Sequence, residues 1–134
     1  MTTYSAFVNG LEALVVTGVT TRLSQSAPLG LNSADLPVQW VAAPSGSDAA
    51  ITAKAEGGWK TLRANLIIAY EAAGQDTGPA NFVGTVTMLD NLEAALCGAT
   101  TLCQGPLHWE IKIAMVSVAG VNYWAAIASV EGSG

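Results

Sequence analysis

Residues 107–131 read LHWEIKIAMVSVAGVNYWAAIASVE, and the fold turns on this stretch. Leu107, Trp109, Ile111, Ile113 and Met115 alternate with His108, Glu110 and Lys112, the period of two that marks a strand with one face toward a core. After Ala119-Gly120 the alternation resumes, with Val121, Tyr123, Ala125 and Ile127 on one face and Trp124, Ala126, Ala128 and Val130 on the other. So short a link between two such runs predicts an antiparallel hairpin, strands Leu107–Val118 and Val121–Glu131. Both faces of the second strand are apolar, so both are expected to be covered. The uncharged run from Ile113 to Val130 just reaches the lower length limit of a membrane helix. Gly120 and Asn122 in its middle and its β-propensity favour the hairpin, and no membrane partner is expected.

Working outward, Trp59–Ala72 is a second long alternation, with Leu62, Ala64, Leu66 and Ile68 facing one way and Arg63, Asn65 and Ile67 the other. Leu36–Ala43 reads as a strand, Pro37 near its start where a missing donor is tolerated. Pro44–Asp48 reads as a turn or exposed loop, and Ala49–Ala55 as an optional short strand. Two helices complete the pattern. Tyr4, Phe7, Val8, Leu11, Leu14 and Val15 form one stripe, with Thr2 or Thr3 as cap and Gly18 at the end. Phe82, Val83, Val86, Leu89, Leu92 and Leu96 form another, opening at Pro79 or Ala80 and ending at Gly98. Residues 22–35, rich in Ser, Pro, Gly and Asn, read as a loop or an irregular edge segment. The expected fold is α+β: one domain over residues 1–134, order α-β-(β)-β-α-β-β, a mostly antiparallel sheet of four to five strands with two helices on one face.

Charged residues make up only 11% of the 134, against about 25% in a typical soluble domain. Either much of the surface is small and neutral, or much of it is buried against other chains. Net charge is −5, and the five basic residues, Arg22, Lys54, Lys60, Arg63 and Lys112, form no cluster. That argues against nucleic-acid binding by phosphate neutralisation. Met1-Thr2-Thr3-Tyr4 lacks the basic start of a secretion signal. Cys97 and Cys103 are therefore expected as free buried thiols, a disulfide across their short loop being the alternative.

The search for chemistry yields no enzyme. The single histidine, His108, lies at a polar strand position beside Trp109, and no G-x-S-x-G elbow is present. Cys97, Cys103 and His108 match no zinc spacing, so no metal and no cofactor are expected. Gly57-Gly58-Trp59-Lys60 lacks the spacing of a phosphate loop. Asp90 and Glu93 share a helix face, and Glu71 and Asp76 flank a loop; both pairs read as solvated. Four tryptophans remain: Trp40, Trp59, Trp109 and Trp124. Trp is enriched at interface hot spots. Trp40 and Trp124, whose strands are apolar on both faces, are the leading interface candidates. Trp59 joins them, with Asp48, Lys54 and Glu56 of the Ser45–Gly58 loop.

The order of elements resembles the tail terminator proteins of long-tailed bacteriophages. The resemblance rests on YSAFVNGL (4–11), ADLPVQWV (34–41), the long strand with the helix carrying NLEAAL (91–96), and the closing hairpin with NYWAAI (122–127). It implies a structural virion protein of the tail and neck, made in the host cytoplasm. It would form a ring, hexameric in that family, that caps the head-proximal end of the tail tube. The ring ends tube polymerisation and joins the tail to the head connector or head-closure protein, and DNA passes through its lumen without sequence-specific binding. Six such chains would carry about −30, which repels DNA rather than gripping it. The alternatives are another neck protein such as head closure, a tail tube subunit or, in a different class, an oligomeric small-molecule binding module. An enzyme centred on His108 is the remaining reading.

Overall fold

A computed structural model describes residues 3–24, 28, 30, 34, 36–47, 60–72, 78–103 and 105–133. The elements run α1 (Tyr4–Glu12), β1 (Thr21–Arg22), β2 (Val38–Ser47), β3 (Thr61–Ala72), α2 (Gly78–Cys97), β4 (Leu107–Val118) and β5 (Val121–Ser133). The strands make one sheet of order β1-β2-β3-β5-β4, antiparallel except where β1 runs parallel to β2. The chain is thus α+β with the order α-β-β-β-α-β-β.

The closing hairpin forms as its alternation predicts. β4 and β5 pair over their whole length from Leu107↔Gly132 to Val118↔Val121 with no shift in register. Ala119 and Gly120 both take positive φ, 53° and 80°, which gives the link the twist a two-residue hairpin needs. Strand β3 is central, flanked by β2 and β5. Its Leu62, Ala64, Leu66 and Ile68 are buried with Ala126, Ala128 and Val130 of β5 beneath the helices. Phe7 and Leu11 of α1 and Met88, Leu92 and Leu96 of α2 close over them, so both helices cover the same face of the sheet. The opposite face carries a smaller cluster, Val38, Trp40, Ala69, Val118 and Tyr123, with Leu23 and Leu36 packed against it. Both faces of β5 are therefore buried at Ala125 and Ala126, whereas Trp124 beside them is only half-buried.

Three expectations are corrected, and one pair of alternatives is decided. The first helix stops at Glu12, with Ala13 as C-cap, short of the stripe that ran to Val15. Its end is held from outside: the buried Gln39 amide Nε2 donates to Leu11 O at 3.2 Å and Leu14 O at 3.0 Å. Gly18, at φ 91°, then turns the chain toward β1. Second, of the two readings of residues 22–35, loop or irregular edge segment, the edge holds at Arg22, which with Thr21 just before that stretch forms a two-residue strand paired to Val38 and Gln39. The optional strand at Ala49–Ala55 lies outside the described residues. Third, the turn read at Pro44–Asp48 is, as far as Ser47, the outer half of β2. The register shifts between Ala42 and Ser45, so Ala43 (φ 51°) and Pro44 lie in a bulge, which is where a residue without an N–H belongs in a strand. Fourth, Cys97 is exposed rather than buried, because Leu96 takes the inward position in the last turn of α2.

Candidate functional site

The face of the sheet turned away from the helices changes character along its strands. Register places Ser45, Arg63, Glu131 and His108 side by side on four neighbouring strands. The next row holds Asn65, Ser129 and Glu110. Together these polar side chains line an open depression of about 660 Å³. Arg63 Nε donates to Glu131 Oε2 at 3.3 Å, with both side chains about half exposed (47% and 51%). A pair so open to solvent contributes little to stability. Further along, Ile67 and Ile127 share a row with Lys112, and the row after it holds Ala69, Ala125 and Ala114.

His108, the one residue a triad would need, is exposed on this face opposite Glu131. No hydrogen bond joins it to Ser45 or Ser129 among the described residues, so no hydroxyl there is paired with a base. Among the described residues no group of three His, Cys, Asp or Glu side chains is placed to hold a metal ion. Cys97 and Cys103 are both free thiols lining a second depression, of about 280 Å³, beside Trp109. Cys103 Sγ donates to Gly105 O at 3.3 Å. No described helix is long and apolar enough to cross a membrane.

The tryptophans divide. Trp40 is 3% exposed and belongs to the smaller core cluster, where its ring is enclosed by this chain's own residues. Trp109 is half-buried against the main core. Trp124 is half-buried on the helix face of β5, with Phe82 of α2 set edge-on at a centroid distance of 6.4 Å. Trp59, Asp48, Lys54 and Glu56 lie outside the described residues.

Around Trp124 the surface is apolar. Phe82 is 50% exposed and Val83 65%, and Val86 follows one helical turn after Phe82. Met115, opposite Trp124 across the β4–β5 ladder, is 52% exposed. The stripe expected to be the buried face of α2 therefore splits. Leu92 and Leu96 enter the core and Leu89 packs against it, joined by Met88 from outside the stripe, whereas Phe82, Val83 and Val86 face outward at the other end. Gly84 lies between them, against the ring of Tyr70 from β3, which leaves no room for a larger residue. Sequence reasoning named Trp124 as an interface candidate but not the patch around it, since Phe82, Val83, Val86 and Met115 read as core; Gly84 within the helical run was the available signal. It also missed Gln39, a polar residue at an inward position of an otherwise apolar strand.

No protein-family model matches the chain, and no curated protein is similar to it at a significant level.

Proposed function

We propose that this chain is a structural subunit of a bacteriophage tail. It assembles into a ring at the head-proximal end of the tail tube as a tail terminator, in contact with tube subunits below and a head-closure or connector protein above. The observation that carries the reading is the apolar patch of Phe82, Val83, Val86, Trp124 and Met115 on a chain with few charges. A patch of large side chains left open by a small domain is characteristic of a protein contact. Its aromatic centre, one ring edge-on to another, is the kind of anchor that dominates such contacts. A ring requires a head-to-tail contact that closes, and the patch supplies one half of it. The acidic balance suits a lumen through which DNA slides without being held. Assembly would take place in the host cytoplasm and the product would reside in the virion neck. Head closure and tube formation use the same kind of contact and remain the neighbouring readings.

A second reading has one specific observation in its favour. The polar depression with Arg63, Glu131, His108 and Asn65 is large enough for a small polar molecule. A thermal-shift screen of small polar metabolites tests it: no stabilisation by any compound removes it.

For the ring, the test is Phe82→Asp and Val83→Asp. Both positions are exposed, so the circular dichroism spectrum is expected to match that of the unaltered chain. Charge in the patch is expected to abolish ring particles in electron micrographs. Rings that persist in both variants would take the patch out of the interface.

A further inference from the structure

We propose that β4 pairs edge to edge and antiparallel with β4 of a second copy of this chain, about a two-fold axis through Ile111. This goes beyond the ring and does not rest on it, because a two-fold contact closes on itself whereas a ring needs a head-to-tail one.

β4 ends the sheet, and among the described residues it pairs with β5 alone. It is a 12-residue strand without a proline or a bulge, so its outer row of N–H and C=O groups is straight and long. Such edges invite another strand unless something blocks them. None of residues 107–117 is fully buried, although Leu107, Trp109, Ile111 and Ile113 all lie on the helix face. These side chains are covered from one side only.

The block in β4 is Lys112, the charge that commonly guards an edge. Here the guard has a complement two residues earlier on the same face, Glu110. Among the described residues neither makes an ion pair within the chain. A two-fold axis normal to the sheet keeps like faces together, so each register is named by the residue on the axis. With the axis at Ile111, Glu110 of each copy stands opposite Lys112 of the other. On the helix face Trp109 then meets Ile113, and Leu107 meets Met115. With the axis at Glu110 or Lys112, like charges meet. With the axis at Trp109 or Ile113, Lys112 faces no carboxylate. Only the Ile111 register makes the strand its own complement in both charge and apolar contact. That identifies the occupant as a second copy rather than an unrelated strand.

Sedimentation equilibrium and native mass spectrometry on a dilution series provide the test. The unaltered chain is expected to show a reversible species of twice 13.7 kDa as its smallest assembly. Glu110→Lys alone and Lys112→Glu alone each place two like-charge pairs at the axis. Each is expected to weaken dimerisation by roughly tenfold or more. Mixing the two variants puts Lys opposite Glu at both places, so a mixed dimer is expected to form where neither variant dimerises alone. The double exchange on one chain is expected to restore the homodimer. A monomer at the highest soluble concentration overturns the proposal. So does a dimer indifferent to the single exchanges, or a mixture no tighter than its components, since another surface or another partner strand would then be at work.

Discussion

Gln39 is the residue on which most of the fold's local logic meets. It is fully buried in β2, yet its amide nitrogen reaches back to Leu11 O and Leu14 O and so ties the end of α1 to the sheet. Its Oε1 has no hydrogen-bond partner among the described residues. Gln39→Ala is expected to cost about 2–4 kcal/mol in urea unfolding, because it opens a cavity and strips buried carbonyls of their donor. A loss under about 0.5 kcal/mol would mean that the two hydrogen bonds are not what holds the helix end. Gly84 makes a second single-residue case. In an exposed helix, replacing Gly by Ala stabilises by about 1 kcal/mol. At Gly84 a Cβ would run into the Tyr70 ring, so Gly84→Ala is expected to lower the melting temperature instead. A rise would show that Tyr70 swings aside freely.

Among the elements, the closing hairpin was the most legible from sequence. Its two alternations and the Ala-Gly link specify register and turn together. Ala119 is nevertheless a poor occupant of φ 53°, a conformation that Asn tolerates better. Ala119→Asn is expected to stabilise the chain by about 0.5–1 kcal/mol, read as a shift of the denaturation midpoint at constant slope. No gain would indicate that the turn conformation differs from this one. Other elements were legible only in part, for identifiable reasons. The end of α1 depends on Gln39, 25 residues beyond Leu14, and no local pattern announces a cap supplied from that distance. β1 has only two residues and exists because β2 offers it a free edge. The bulge at Ala43-Pro44 was hidden by turn-forming residues, which serve a strand irregularity as well as they serve a turn. The α2 stripe showed which residues are apolar, but not that Phe82, Val83 and Val86 at its first end stay exposed while Leu92 and Leu96 are buried.

For the whole molecule, the same limit governs function. Low charge and abundant tryptophan pointed to interfaces, but which tryptophan is available depends on how the strands are covered. Trp40 is enclosed by neighbours from β3, β4 and β5, while Trp124 stands where α2 presents Phe82 to solvent. The polar row from Ser45 to His108 is likewise a product of register across four strands, invisible in any one of them. The central claim is that this domain exists to be assembled. Negative-stain electron microscopy of the purified chain, imaged over a rising concentration series, tests it most directly. The account predicts closed particles of uniform diameter with a central hole, which vanish in Phe82→Asp. Particles no larger than a dimer at the highest concentration would contradict it.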